Sequence, residues 1–386
     1  MKTIGFMFKI PIAMVLFSLA GLGALAAQGL TVSGLLDSTV SMSAGAGDSP
    51  AFSYGLEEYA NLRIQAKIKD RAAFYGAVNF IAAAGNIAQG AVGLGLIAGE
   101  NYVAGFELER LYFRLNGDNL DFDGGLLRLP FGYGQVWGPS DFLNPKNPLL
   151  PNARPRAVLG GSLSWYPVDS LKLLAFGSAP KDPFSRSGAG GLAGLSMDQH
   201  WDRASLQLLY AFESPGDGSD QGIHRAGMSV KADLELGLVA DLLYTYNAEA
   251  QTQIDGLSFS IGCDYSFFEG KFIVLAEYLY NGAASSTAFN DGKNIFGRKN
   301  DNYLYASLSF LFFDYTLVSA ALISGFDDVS FTPIISLEHE LFQGCGLNIS
   351  AQIPLDRDLF SGDGNQGELG PRTAYSSFTA RIRLRF

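Results

Sequence analysis

Within the last twelve residues, Tyr375 to Phe386, the chain alternates strictly from Ser377 onward: Phe378, Ala380, Ile382, Leu384 and Phe386 occupy one parity, and Ser377, Thr379, Arg381, Arg383 and Arg385 the other. Successive side chains of a β-strand point to opposite faces. One face of this strand is therefore wholly apolar and the other carries three guanidinium groups. Such a segment is stable where one side meets hydrocarbon and the other meets water. A half-buried strand of a soluble sandwich is the competing reading, but it would seldom end a chain on an aromatic residue behind three arginines.

The other end of the chain points the same way. Lys2 and Lys9 precede and enter an apolar stretch over 10–25, and Ala24 and Ala26 supply small residues near a cleavage point. Residues 1–27 thus read as an export signal peptide and 28–386 as one mature domain. Loss of Lys2 and Lys9 takes the formal charge from −11 to −13, an acidic balance unsuited to neutralising nucleic-acid phosphates. Cys263 and Cys345 are the two cysteines, too few for a disulfide scaffold or a cysteine-rich metal site.

The same parity recurs along the mature chain. Alternating segments are expected as strands over 30–42, 56–69, 72–84, 102–115, 120–129, 158–166, 171–177, 192–199 and 203–212. They continue over 223–232, 235–246, 257–267, 271–280, 302–313, 315–324, 329–341, 346–355 and 373–386. The expected fold is all-β, a closed antiparallel transmembrane barrel of about 18 strands, with 16–18 as the range. Connections alternate between short ones such as 116–119, 167–170 and 268–270 and long ones such as 130–157, 281–301 and 356–372. Short periplasmic turns and long extracellular loops have this asymmetry. Two places disturb the pattern. Phe106 and Leu108 are out of phase with Leu111, Phe113 and Leu115, which predicts a bulge near Arg110. Residues 80–99, rich in glycine and alanine, fit either a longer hairpin or a membrane-dipping loop.

A barrel of this size is too wide for side chains alone to fill, so its interior holds water unless a loop obstructs it. The segment after the fifth strand, over 130–157, is dense in proline and glycine and is expected to hold one compact shape. In strand number, in the place of this loop and in the pattern ending at Phe386, the chain resembles bacterial diffusion porins. That resemblance implies a loop folded into the barrel, with Asp141, Lys146, Arg154 and Arg156 as constriction candidates. It also implies an outer-membrane location, a homotrimer, and Phe378, Ile382, Leu384 and Phe386 as a C-terminal signal for barrel-assembly machinery.

Strand parity nominates lumen-lining residues independently: Arg63, Lys67, Glu338, Glu340, Arg381, Arg383 and Arg385. With strands ~4.8 Å apart, Glu338 and Glu340 are expected about 10 Å from the arginine row, close enough to neutralise part of it. Tyr303 and Tyr305 are nominated as stacking surfaces for sugars. His200, His224 and His339 have no convincing serine or carboxylate partner, so catalysis is not expected, and neither cofactor nor metal is implied. The expected function is a passive outer-membrane channel for ions and small hydrophilic solutes, selected by size and charge and surrounded by outer-membrane lipid. The alternatives are a channel biased toward sugars or anionic oligosaccharides, and a surface-binding barrel with a blocked lumen.

Overall fold

The computed structural model describes residues 29–44, 52–68, 71–85, 95–144, 157–179, 190–215, 222–247, 256–282, 300–356, 367–369 and 376–386. The expected signal peptide, and Lys146, Arg154 and Arg156, lie outside the described residues. Alternating sequence becomes nineteen strands. The first six are β1 (Leu30–Ala44), β2 (Phe52–Ile68), β3 (Ala72–Gly85), β4 (Gly95–Gly99), β5 (Tyr102–Asn116) and β6 (Leu120–Leu127). Then come β7 (Val158–Val168), β8 (Leu171–Ser178), β9 (Leu192–Trp201), β10 (Ala204–Glu213), β11 (Ile223–Asp233), β12 (Gly237–Asn247) and β13 (Leu257–Phe267). The last six are β14 (Phe272–Asn281), β15 (Asn302–Phe312), β16 (Thr316–Gly325), β17 (Ser330–Phe342), β18 (Cys345–Gln352) and β19 (Ser376–Arg385).

Neighbours in sequence pair antiparallel, and β1 pairs with both β2 and β19, closing the sheet on itself. The seam is in register from Leu35 opposite Arg385 to Ala44 opposite Ser376. Closure leaves no open edge to satisfy in hydrocarbon. Every segment expected as a strand forms one, with ends displaced by a few residues.

The strand not expected, β4, explains the glycine- and alanine-rich stretch. Strand β6 pairs only with Leu111–Asn116 of β5, because the chain turns inward after Leu127. The upper half of β5 would then present an unpaired backbone edge. Strand β4 folds back through a tight turn and pairs with Tyr102–Gly105 on the edge of β5 opposite β3. It is a patch on the wall, so the cylinder has eighteen staves. The predicted bulge is present too: Ala77 faces Arg110 while Val78 faces Leu108, leaving Glu109 as the extra residue.

One rim carries short turns over 117–119, 169–170, 202–203, 234–236, 268–271, 313–315 and 343–344. Beside them Trp165, Trp201, Phe268 and Phe313 project outward, each at least half exposed. Phe378, Ile382, Leu384 and Phe386 also face outward, as their parity requires. An apolar belt edged by aromatics is the outer surface of a transmembrane barrel.

Candidate functional site

The interior is divided. After β6 the segment 128–144 runs into the barrel and lies against one side of it. Its amides line up on acceptors from three strands. Gly132 N donates to Gln207 Oε1 of β10 at 2.6 Å. Tyr133 N and Gly134 N each donate to the Asp241 carboxylate of β12 at 3.0 Å. Gln135 N and Val136 N both donate to Glu277 Oε2 of β14 at 3.0 Å, and Trp137 N donates to Oε1 at 2.9 Å. The Trp137 indole adds a bond to the Glu277 carbonyl at 3.1 Å. Two buried carboxylates thereby receive five backbone N–H groups, the charge-assisted kind of hydrogen bond. Buried without them, either charge would be strongly unfavourable.

Glycine is required where the loop meets these anchors. Gly132 has φ +80°, and a Cβ there would run into the Asp241 carboxylate. At Gly134 a Cβ would overlap the Trp137 carbonyl. Apolar contacts complete the docking: Leu129, Phe131 and Phe142 pack with Leu174 and Phe176 of β8, Leu192 of β9, Leu209 of β10 and Leu243 of β12. The Arg225 guanidinium lies 5.0 Å from the Phe142 ring centre and is paired with Glu213 at 2.7 Å.

A second segment, 367–369, reaches in from the long-loop rim. Leu369 packs with Trp137, Leu279, Tyr303 and Ile323. Glu368 Oε2 accepts from Asn300 N and Nδ2 at 3.1 Å and from Tyr303 OH at 2.8 Å. Burial pushes the Glu368 carboxyl above the ordinary range, and nearby Asp328 adds to that, while the three hydrogen bonds oppose it. Tyr303 is fully buried here, so the expectation that it offers an open stacking surface is corrected; Tyr305 packs beside it and is half-buried.

The opposite wall, from β17 through the seam to β5, is polar and ionic. Asp37 of β1 takes two bonds from Arg383, both 2.7 Å, and lies 4.0 Å from Arg381. The carboxylate in direct contact with the arginine row is therefore Asp37, while Glu338 faces Arg381 two strands away across Asn348 and acts on the row at longer range. Glu338 instead accepts from Asn348 Nδ2 at 2.9 Å, and Glu340 stands exposed next to a register shift between it and Phe342. Arg381, Arg383, Arg385, Glu338 and Asn348 line a recess of about 300 Å³ near the short-turn rim. Arg63 and Lys67 face the interior exposed. Arg63 Nε donates to Asn61 at 2.6 Å, and neither cation has a carboxylate within ion-pair distance among the described residues. Next to them Tyr75 and Tyr112 stack at 4.8 Å with rings 12° apart.

Of the constriction candidates, Asp141 is in the inward segment but buried, accepting from Phe131 N and Asn144 Nδ2 at 3.4 Å each. It shapes a turn of the loop. The residues that dock the loop, Gln207, Asp241 and Glu277, are absent from the parity argument. Their one sequence signal is an inner face that is apolar where water is expected: Val239 and Leu243 around Asp241, Leu275 and Leu279 around Glu277.

No protein-family model matches the chain, and no curated protein does. Solved structures do match over nearly the whole length. Acinetobacter baumannii OccAB4 aligns with TM-score 0.58 at 12% identity, covering 93% of this chain and 98% of that one. Pseudomonas aeruginosa OccK8 (OprE) aligns with TM-score 0.55 at 13% identity over 92% and 98%. Wzi of Escherichia coli, described as a carbohydrate-binding β-barrel involved in group 1 capsule assembly, gives 0.57 at 13% identity over 92% and 84%. These likenesses establish that the chain has the fold of eighteen-stave outer-membrane barrels.

Proposed function

We propose that the protein is an outer-membrane channel through which ions and small hydrophilic solutes pass passively, selected by size and charge, with residues 1–27 as its export signal. The observation carrying this reading is the one-sided docking of segment 128–144: it narrows the interior from β8–β15 and leaves the cation-bearing wall of β19, β1, β2 and β5 facing the remaining space. A fixed charge beside a narrow aqueous path biases which ions enter it. Arg63 and Lys67 are the strongest contributors, because Arg383 is already neutralised by Asp37. Phe378, Ile382, Leu384 and Phe386 then serve membrane assembly, and the lipid belt admits a trimer contact.

Purified protein in a planar bilayer tests the reading. Stepwise conductance is expected, and under a potassium chloride gradient Arg63→Glu with Lys67→Glu moves the reversal potential toward cations. Correctly folded protein without conductance would instead favour a surface-binding barrel. Conductance with unchanged selectivity would remove these two residues from the ion path.

A further inference from the structure

Resting on the channel reading, we infer that the wall of β2, β3 and β5 holds a binding site for acidic oligosaccharides, centred on the Tyr75–Tyr112 pair. Register places the parts. Gln65, Tyr75 and Tyr112 lie side by side across the three strands. One step toward the long-loop rim the row is Arg63, Ala77, Arg110, and one step toward the short-turn rim it is Lys67, Ala73, Arg114. Two rings thus stand between four cations, flanked by the small, buried Ala73 and Ala77. Both rings are half-buried, so part of their surface faces the interior. Gln65 Nε2 fixes Tyr75 by donating to its hydroxyl at 3.1 Å, and the Arg114 guanidinium lies 5.9 Å from the Tyr75 ring centre.

The two sides of the ledge differ in charge. On the β5 side Arg114 is held by Asp123 at 2.7 and 2.9 Å, and Arg110 lies 3.4 Å from Glu109. That side has carboxylate oxygens able to accept from hydroxyl groups. On the β2 side Arg63 and Lys67 have no such partner among the described residues. Four residues of strand separate their Cα atoms by about 13 Å. An inorganic anion needs no ring ledge, and an aromatic monocarboxylate would engage one cation and bring no hydroxyls to Asp123. A short chain of uronic-acid sugars uses every part. The apolar faces of its rings lie on the tyrosines, which attract C–H edges through their π faces. Carboxylates on separate units reach Arg63 and Lys67, and hydroxyls donate to Asp123. The ledge adjoins the inward loop, since Tyr112 also packs against the cluster of Leu129 and Phe131. A bound sugar therefore sits beside the narrowing.

Calorimetric titration of the detergent-solubilised full chain with trigalacturonate, maltotriose and benzoate tests the site without requiring conductance, so failure of the channel reading and failure of this one are told apart. Saturable binding of trigalacturonate is expected, with maltotriose and benzoate at least about tenfold weaker. Tyr75→Leu and, separately, Arg63→Gln with Lys67→Gln should each weaken trigalacturonate by about tenfold, and the charge variant should flatten its salt dependence. No binding by folded wild-type protein, equal affinity for maltotriose or benzoate, or full affinity in the charge variant would overturn the inference.

Discussion

The two halves of the interior solve opposite problems. Between β8 and β15 several strands carry apolar residues on both faces: in β8, Leu173 and Ala175 point out while Leu174 and Phe176 point in. An inner wall of that kind is unstable against water and needs a cover, which segment 128–144 provides. From β17 through the seam to β5 the inner residues are mostly polar or charged, and they are covered by one another, as Asn61, Asn79 and Glu109 are, or by solvent. In the first half the two carboxylates that anchor the loop, Asp241 and Glu277, are each only 1% exposed and satisfied by backbone amides. In the second the charged groups are satisfied by each other, as Asp37 and Arg383, or by water, as Arg63 and Lys67. The difference teaches that the loop's position is set by where the wall is greasy and its register by two carboxylates. The charge of the path is set by the wall the loop leaves largely uncovered, touching it at Tyr112 and, through Arg128, at Glu109.

Removing an anchor should undo the first half most. Glu277→Ala deprives Gln135, Val136 and Trp137 of their acceptor, and each hydrogen bond to a charged group contributes about 1.5–3 kcal/mol. The loop should leave the wall, read as a rise in single-channel conductance and as new proteolytic cleavage within 128–144. A conductance equal to wild type would show that the apolar cluster alone holds the loop. Gly134→Ala acts on the same contact from the loop side, with about 1–3 kcal/mol of overpacking. It should give a smaller conductance change and a lower unfolding temperature, and an unshifted temperature would mean that the Trp137 carbonyl can move aside.

The ionic wall predicts effects on selectivity. Asp37→Asn frees Arg383 from its bidentate partner across the seam. The reversal potential should move toward anions, opposite in sign to Arg63→Glu. The shift should be smaller, because the Arg383 side chain is 30% exposed while Arg63 is open to the interior. An unchanged reversal potential would place Asp37 and Arg383 outside the conducting path.

How much of this could be read from residues alone depended on range. Parity is local, so the eighteen staves and the bulge near Arg110 were both legible. The inward loop was legible in its position and its proline and glycine content. Its anchors were not: Tyr133 and Asp241 are 108 residues apart and Gln135 and Glu277 are 142 apart, distances over which no spacing rule acts. The seam hid Asp37 in the same way. Counting strands outward from β19 in one direction reaches Glu338, and only closure of the cylinder puts β1 on the other side. Strand β4 was hidden because the edge it covers exists only once β6 has turned away.

The smallest expected effect separates the loop-covered half into its own two parts. Segment 367–369 sits on Trp137 through Leu369, and Glu368 ties it to Asn300 and Tyr303. Burial, reinforced by Asp328, raises the Glu368 pKa in the docked segment above that of a free carboxyl. A docked state that holds its proton more tightly is favoured as protons are added. The gain is complete below the ordinary carboxylate range and is lost as pH rises through the raised value. Acidification across that window should increase hydrogen-exchange protection at Glu368 and Leu369 while leaving Tyr133 to Trp137 unchanged. In Glu368→Gln, which is neutral at every pH, the dependence should vanish. If protection rose equally at Trp137, the two inward segments would be one cooperative body.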